Sequence, residues 1–372
     1  MKYDVVIIGG GIAGLTLSID LRKRGHHILV IEKGTYPRHK VCGEYISMES
    51  YNYLHRTCPA LSEFNLPLIT QFKLSSTSSQ AFQTSLDLGG FGISRYLLEH
   101  LLYNEAKTKG VEFMLKCKAL EVKCNATGED FAILTNDTTI NSTLVCNATG
   151  RKSAFETKAR NSKISETNYV GIKYHIKIER TADLVEIHNF PGGYCGISAI
   201  EENKSCLCYM ANSKNLKNVN NSIPDLEKVY LHQNPYLKQI FNTASFLFKE
   251  PLTISGINFK IKEPVVDGVF YLGDSAGSIA PVTGNGMSMA IRSAATLAEL
   301  IDGFFLKKFT KQQLVDNYTG FWKKEFSTKI KLSRHFQKLS EFPLLTNMSI
   351  GLFKPFPVLA KTIISKTHGI PF

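Results

Sequence analysis

The chain has 372 residues, of which 43% are hydrophobic and 20% charged, so it can bury a core without disulfides or a metal. No apolar run reaches the roughly eighteen residues of a membrane span, and the eight cysteines include no Cys-x-x-Cys pair, so reduced thiols and no metal site are expected. The net charge of +12 favours an anionic partner.

The N-terminal segment predicts a strand, a glycine turn and a helix in direct succession. The apolar run 3–8 is followed by Gly9, Gly11 and Gly14 in the spacing G-x-G-x-x-G, and a helical pattern begins at Ile12. The first glycine permits the turn, the second lets a pyrophosphate approach the backbone, and the third lets helix and strand pack closely. Free N–H groups at the helix N-terminus would then bind the anion.

A second predicted strand, residues 27–31, ends at Glu32. An acid about twenty positions beyond the turn is placed to accept hydrogen bonds from a ribose hydroxyl, and it disfavours a 2′-phosphate. The sequence therefore predicts a bound adenine dinucleotide, FAD or NAD rather than NADP. The simpler alternative is a βαβ unit whose glycines serve only packing.

The next hundred residues alternate between loops, a helix and short strands. Residues 33–44 form a polar loop, a helical pattern follows over 47–54, and residues 69–88 alternate like half-buried antiparallel strands. Ser94 is expected to cap a helix that ends near Gly110. Further strands are expected over 112–115, 119–123, 131–134, 138–140 and 143–148.

Between residues 158 and 265 the pattern changes to strands rich in Tyr, Ile and Val, with one helix from Pro224 to His232. This predicts a second, sheet-based domain inserted into the first. The first domain then returns with a buried strand that ends at Asp274 and a long helix over 287–305. A chain that revisits its nucleotide unit favours FAD, because an NAD dehydrogenase needs one contiguous unit.

These motifs together resemble the FAD-dependent aromatic hydroxylase and geranylgeranyl reductase superfamily of flavoprotein oxidoreductases. The similarity covers almost the whole chain in the right order. The motifs are Gly9-x-Gly11-x-x-Gly14, Cys42-Gly43-Glu44, Arg95, Ala148-Thr149-Gly150 and Gly273-Asp274-Ser275-Ala276-Gly277.

The expected fold class is α/β, a Rossmann-like FAD-binding domain of the glutathione-reductase type with an inserted, mainly antiparallel β-sheet substrate domain and a helical C-terminal tail. The expected boundaries are 1–68, 91–157 and 266–308 for the FAD-binding domain, 69–90 and 158–265 for the substrate domain, and 309–372 for the helical C-terminal region.

The resemblance implies that Asp274 binds a ribitol hydroxyl of FAD, with a helix N-cap as the simpler alternative. It places Arg95 near the phosphates or flavin, or else on a helix surface, and Cys42 against the isoalloxazine, where packing is favoured over a catalytic role. The expected FAD-binding residues are Gly9, Gly11, Ala13, Gly14, Glu32, Lys33, Arg38, Cys42, Gly43, Arg95, Ala119, Ala148, Thr149, Gly150, Gly273, Asp274, Gly284, Asn285, Gly286 and Met287. Tyr45 and Tyr194 are expected in the substrate cavity, and no catalytic residue is assigned.

Three departures from the superfamily pattern bear on function. Gly150 is followed by Arg151-Lys152-Ser153 where aromatic hydroxylases carry an Asp-Gly pair, so the contact with NAD(P)H, the expected electron donor, stays open. The reductase segment Tyr-x-Trp-x-Phe-Pro is replaced over residues 193–199, where only Tyr194 survives, which predicts a roomier cavity. Flavin-dependent halogenases carry a tryptophan-pair motif. Trp322, in the tail, is the only tryptophan of this chain, so halogenation is not expected.

Three functions remain open from the sequence. The leading expectation is an NAD(P)H-dependent monooxygenase that hydroxylates a hydrophobic, aromatic or polyketide-like substrate. The alternatives are a reductase that hydrogenates isoprenoid double bonds and a non-catalytic, membrane-associated flavin-binding protein.

The C-terminal tail from Thr310 onward is predicted to be helical with interruptions at Pro343, Pro355 and Pro357, and the positive charge is concentrated there. From Gly303 onward eleven lysines and one arginine face three acids, a net charge of +9, which fits an anionic lipid surface or merely a solvated helix face. Nucleic acid is not expected, because no aromatic and basic binding module accompanies the charge. Because the first predicted strand starts at Tyr3, no secretory signal is expected. A cytoplasmic protein is expected, with peripheral contact to the inner face of the membrane through residues 344–364 as one option and packing over the cavity as the other.

Overall fold

The computed structural model describes residues 2–125, 128–151, 169–257, 259 and 261–372. The strands in this part of the chain are β1 (Lys2–Ile8), β2 (Ile28–Glu32), β3 (Tyr45–Ser47), β4 (Leu68–Ser75), β5 (Ala81–Gly92), β6 (Glu112–Leu115), β7 (Ala119–Cys124), β8 (Phe131–Thr135), β9 (Thr139–Asn147), β10 (Tyr169–Lys177), β11 (Leu184–Phe190), β12 (Gly193–Ile200), β13 (Lys204–Asn212), β14 (Ser245–Phe246), β15 (Leu252–Ile257), β16 (Val265–Val266) and β17 (Val269–Tyr271).

The α-helices are α1 (Ile12–Lys23), α2 (Tyr51–Thr57), α3 (Arg95–Thr108), α4 (Ser213–Asn218), α5 (Ile223–Val229), α6 (Pro235–Thr243), α7 (Gly286–Phe305), α8 (Lys311–Ser340), α9 (Pro343–Phe353) and α10 (Pro357–Ser365). Short 3-10 turns cover Met48–Ser50, Pro59–Glu63, Leu231–Gln233, Gly273–Ser275 and Pro281–Thr283. Ser94 caps α3 as predicted, because its hydroxyl accepts a hydrogen bond from Leu97 N (3.1 Å).

The first sheet has the order β16-β17-β9-β1-β2-β6, in which β17, β9, β1, β2 and β6 run parallel to one another and β16 is antiparallel to β17. The β7–β8 hairpin joins it through β8, which pairs with β9. Val5, Val6 and Ile7 of β1 are fully buried, as expected for a parallel strand covered by helices on both faces. The carboxyl ends of β1, β9 and β17 therefore meet at one edge of the sheet.

The second sheet has the order β14-β10-β13-β12-β11-β4-β5-β3, with β15 on β10. Its pairs are antiparallel except for β4 with β11. The mixed α/β architecture is thus as expected, although β3 and Gly92 of β5 also lie in this sheet. The precise domain boundaries stay a prediction.

The helix predicted from Pro224 to His232 is present as α5 and the 3-10 turn after it, but the expectation of one helix in this region is wrong, because α4 and α6 flank it. Asn212, Ser222 and Asn234 each accept a hydrogen bond from a backbone N–H at the start of one of these helices. Such polar caps, two of them followed by proline in the first turn, were the available start signals.

The tail is helical from Thr310, and breaks precede Pro343 and Pro357 as predicted. Trp322 of α8 is buried against Gly277, so α8 packs on the first sheet's unit. In the described part of the chain, no helix combines the length and apolarity that crossing a bilayer requires.

Candidate cofactor site

The glycine turn after β1 is shaped by its contact with the end of β9. Gly9 has φ +103°, and a Cβ there would lie 2.5 Å from the Ala148 carbonyl oxygen. The Ala148 N–H donates to Ile8 O (2.7 Å), and Gly14 packs directly on Gly9. A side chain at Gly9 or Gly14 would therefore separate the helix from the strands.

Two cations stand over the same turn. The Cβ position of Gly11 is 3.4 Å from Lys40 Nζ and 3.9 Å from Arg95 Nη2. Since Gly11 precedes the N-terminus of α1, backbone N–H groups and two positive side chains converge there. This is the arrangement that a diphosphate requires.

Glu32 connects the end of β2 to the turn. Its carboxylate accepts hydrogen bonds from Gly10 N (2.7 Å), Gly34 N (2.8 Å) and Arg38 Nη1 (2.7 Å). Burial alone would raise the pKa of Glu32, but the Arg38 hydrogen bond and charge, with the two N–H donors, lower it to about 2. Glu32 is therefore ionised, and its hydrogen bond to Gly10 N fixes the glycine turn.

A buried acid balances the cations. Glu99 of α3 is fully buried, contacts Arg95 and lies 3.0 Å from Lys40 Nζ and 3.6 Å from Arg38 Nε. Burial opposes its ionisation, yet Arg95 and Lys40 hold the pKa of Glu99 below its usual value. Three cations thus face the two carboxylates Glu32 and Glu99, which leaves net positive charge for a phosphate.

Sequence reasoning missed Lys40 and Glu99. The available signal was the spacing of Arg95 and Glu99, four positions apart on one helix face. Nothing local indicates that Lys40 would reach the same carboxylate across 59 residues.

The late segment meets the first one at Gly273 and Asp274. The Cβ position of Gly273 is 3.3 Å from the Ala13 Cβ, so the turn after β17 packs on the start of α1. Asp274 Oδ2 accepts from Arg151 Nε (3.1 Å). Arg151, which the sequence marked only as a departure, is therefore a neighbour of the predicted ribitol ligand, whereas Lys152 and Ser153 lie outside the described residues.

The turn before α7 completes the site. Gly284 has φ +67° and packs on the Tyr45 ring, Asn285 precedes the helix, and Gly286 is its first residue. Met287 Sδ is 3.7 Å from Cys42 Sγ. The loop over residues 40–44, which we call the Cys42 loop, therefore spans the distance between the glycine turn and the N-terminus of α7.

Side chains of the second sheet hold this loop by its carbonyl oxygens. Lys173 Nζ donates to Lys40 O (3.1 Å), Cys206 Sγ to Cys42 O (3.2 Å) and Ser198 Oγ to Gly43 O (3.0 Å). The Glu44 N–H, which follows the Gly43 carbonyl, donates to Cys42 Sγ (3.5 Å), so both carbonyl and N–H groups of this loop are held.

Glu44 anchors the end of the loop. It is fully buried with φ +58°, and its carboxylate contacts Lys173, His175 Nε2 (2.6 Å) and Arg95 N (2.7 Å). Burial disfavours its charge, but the His175 hydrogen bond and the Lys173 charge lower the pKa of Glu44. The ligand-type atoms of Glu44, His175 and Cys206 lie within 4.8 Å of one another, and the Lys173 ammonium supplies the positive charge there.

The remaining predicted residues are less informative. Ala119 is buried at the start of β7, two residues after Cys117, whose N–H donates to Glu32 O (3.1 Å). Lys33 is exposed. Thr149 Oγ1 donates to Asn147 Oδ1 (2.7 Å), and Gly150 has φ +78°.

The two predicted cavity tyrosines lie in different surroundings. Tyr45 packs between Gly90 and Gly284, whereas Tyr194 belongs to an apolar cluster that includes Tyr169 and Met210. Burial raises the pKa of Tyr194, and the Arg151 charge acts in the opposite direction. The Arg151 charge therefore acts on the Tyr194 hydroxyl.

The residues around Gly284 fit a polar ring system. Tyr45 Oη, Asn285 Oδ1 and Ser288 Oγ are buried and have no hydrogen-bond partner among the residues that the structure describes. Buried polar atoms of this kind require partners, and the edge of a flavin offers both donors and acceptors. With the net positive charge at Gly11, the whole arrangement fits FAD.

Comparisons with known proteins agree with this fit. A family model described as FAD dependent oxidoreductase matches residues 4–41. The chain is 26% identical to the digeranylgeranylglycerophospholipid reductase of Sulfolobus acidocaldarius, over 81% of this chain and 69% of that protein.

Two solved structures show the same fold. A geranylgeranyl bacteriochlorophyll reductase-like protein from Thermoplasma acidophilum has a TM-score of 0.76 and 20% identity, covering 93% of this chain and 90% of that one. The flavin-dependent brominase Bmp2 has a TM-score of 0.79 and 20% identity, covering 98% and 93%.

The class of protein follows from the site and these matches: the chain is an FAD-dependent oxidoreductase. Within that class, the resemblance to the aromatic hydroxylase and geranylgeranyl reductase superfamily is confirmed.

Proposed function

We propose that this protein hydrogenates a carbon–carbon double bond of a hydrophobic substrate, with FAD held between the glycine turn and the Gly284 turn and NAD(P)H as the electron donor. The Rossmann-like first unit would hold the nucleotide, and the second sheet would cover the flavin ring. The finding that the Sulfolobus relative is named a lipid reductase supports this reaction class.

The position of Cys42 carries the proposal. Its half-buried thiol lies 3.7 Å from Met287 Sδ, and Arg95 is a charged neighbour of its sulfur. Once reduced by NAD(P)H, bound FAD would supply a hydride to one alkene carbon. Saturation of the bond also needs a proton for the other carbon, and the Cys42 thiol is placed to donate it.

Arg95 makes this donation chemically reasonable. Proton donation leaves a thiolate, and the Arg95 guanidinium is the neighbouring cation that would pair with it. The thiolate then regains a proton from solvent before the next turnover. The sequence alone favours packing for Cys42, and its location beside Arg95 adds the acid role.

The apolar cluster of the second sheet supports a hydrophobic substrate. Tyr169, Ile187, Tyr194 and Met210 pack with Ala280, four residues before Gly284. A greasy chain bound against this wall would exclude water from the reacting carbons.

Hydroxylation is the second candidate, because β12 carries small residues where the reductase pattern has large ones. At Gly196, the atom nearest to the Cβ position is 3.5 Å away on Ile187. A planar aromatic substrate would pack at the position of the absent side chain, and reduced FAD would activate dioxygen for its hydroxylation.

The test uses geranylgeraniol as the probe and mass spectrometry as the readout. Anaerobic turnover with NADPH or NADH should give products heavier by about 2 mass units for each reduced bond, whereas hydroxylation in air adds about 16. A hydroxylated product with no reduced product would overturn the proposal in favour of the second candidate.

Cys42→Ala should lower the rate of alkene reduction by about 100-fold or more while NAD(P)H still bleaches the flavin. Cys124→Ala, at an exposed cysteine of β7, is the matched control. Equal product formation by both variants would remove Cys42 as the proton donor.

A further inference from the structure

One face of α9, the turn after it and the start of α10 present an apolar surface, which we call the α9–α10 tip. Its side chains are between 48% and 73% exposed, and single exposed apolar residues are common whereas contiguous ones mark a binding surface. The tip consists of Leu344, Met348, Leu352, Phe356 and Val358.

The opposite faces of both helices are anchored. Ile350 of α9 and Ala360 of α10 are buried with Phe82 of β5, and the Phe353 and Phe82 rings lie 5.6 Å apart. The exposed apolar side chains are therefore held outward by packing on the inner side.

The segment that carries the tip has charges of one sign. Residues 342–372 contain Lys354, Lys361 and Lys366 and no Asp or Glu. Lys361 pairs with Asp87 of β5 (3.5 Å), whereas Lys354 and Lys366 are exposed. Apolar side chains beside these two lysines match the boundary between the acyl chains and the headgroups of an anionic bilayer.

The C-terminal segment that follows the tip contacts the cofactor turn. A groove of about 240 Å³ lies beside α10, between residues 85–89 of β5 and residues 361–371. In the same segment Thr367 O accepts a hydrogen bond from Asn285 Nδ2 (2.7 Å), and Gly90, next along β5, packs on Tyr45.

We propose that the α9–α10 tip docks into the surface of an anionic phospholipid bilayer, and that the groove along α10 passes the hydrophobic substrate between the membrane and the Gly284 turn. The passage of substrate rests on the proposed function, whereas docking does not. The competing occupant of the tip is a second copy of the chain. A contact between two copies would not require lysines beside the apolar residues.

The test is flotation of the FAD-loaded full chain with vesicles of phosphatidylcholine alone or with about a third phosphatidylglycerol. The unaltered protein should float with the anionic vesicles and much less with neutral ones, and added salt should weaken binding. Phe356→Ser with Val358→Ser should reduce the bound fraction by about tenfold.

Val229→Ser with Leu306→Ser is the matched control, since both side chains are exposed apolar residues far from the tip in sequence. Equal flotation of the two double variants would overturn the proposal. So would no flotation of the unaltered protein, or a dimer in size-exclusion chromatography that Phe356→Ser with Val358→Ser dissociates.

Flavin content and NAD(P)H-driven bleaching, measured on the same preparations, keep the two proposals separate. Normal bleaching without flotation would remove docking alone. Flotation together with failure to reduce geranylgeraniol would remove the proposed reaction alone.

Discussion

At the scale of single residues, the site is organised by buried charges rather than by the glycines alone. Glu32, Glu44 and Glu99 each lie in the interior, and each accepts from a cation. Burying a carboxylate is costly unless it is paired and hydrogen-bonded. Pairing with cations offsets this cost. In these pairs Glu32 and Glu99 fix the glycine turn, and Glu44 fixes the Cys42 loop.

Glu32 gives a pH prediction. Its folded-state pKa of about 2 lies below the ordinary 4.5, so its stabilising contribution is complete above about pH 4.5 and is lost as the pH falls toward 2. The free energy of unfolding of the apoprotein, measured with urea, should fall between pH 7 and pH 3. This fall should be about 2 kcal/mol smaller for Glu32→Gln than for the unaltered protein. Glu63→Gln, at an exposed position, should follow the unaltered curve, and parallel curves for all three proteins would contradict the assignment.

At the scale of elements, the loop 40–44 belongs to two sheets at once. It leaves the first sheet after β2, and β10, β12 and β13 of the second sheet donate to its carbonyl oxygens. Glu44 then joins it to the N-terminus of α3 through Arg95 N. The position of Cys42 beside Met287 therefore depends on the docking of the second sheet.

The Glu44–Lys173 pair can be tested by a double-mutant cycle. Removing either partner leaves the other charge buried, so Glu44→Gln and Lys173→Met should each cost roughly 3–5 kcal/mol of unfolding free energy. The double variant should cost clearly less than the sum. Both single variants should also change the visible circular dichroism of bound FAD, because the loop shifts.

The Arg180–Glu186 pair (2.9 Å), also on the second sheet's unit, provides the control. Its double variant should leave the flavin spectrum unaltered. Additive unfolding energies at Glu44 and Lys173, with an unaltered flavin spectrum in both, would show that the pair does not position the loop.

At the scale of the whole molecule, two segments separated by more than two hundred residues meet at one ligand site. The turn at Gly273 packs on Ala13, and the N-terminus of α7 faces Cys42 through Met287. FAD would therefore crosslink early and late parts of the chain, and its binding should stabilise both.

Asp274 tests this arrangement from the late segment. Its partner is the partly exposed Arg151, and exposed ion pairs contribute little to stability. Asp274→Ala should thus leave the melting temperature of the apoprotein almost unchanged while weakening FAD binding by about 10- to 100-fold, the loss of one charge-assisted hydrogen bond. Fluorescence titration with FAD checks this, and unaltered affinity would contradict the placement of the ribitol.

Local patterns in the sequence were sufficient for the strand, glycine turn and helix at Gly9–Gly14, for the cap at Ser94 and for the proline breaks in the tail. Each depends on residues close together in the chain, where backbone geometry and hydrogen bonding act directly. The helix near Pro224 was found as well, whereas α4 and α6 were missed although Asn212 and Asn234 cap them, because helices of six and nine residues show little periodicity.

The sequence by itself determined the nucleotide turn, the mixed α/β class and the likeness to flavin oxidoreductases, because these rest on short motifs in a fixed order. Only the tertiary structure decided that Lys40 and Glu99 join the glycine turn, that Arg151 pairs with Asp274, and that Lys173 and His175 hold Glu44. Those contacts span 59 to 131 residues. Which charges share a buried site depends on how two sheets dock, and no local pattern encodes that docking.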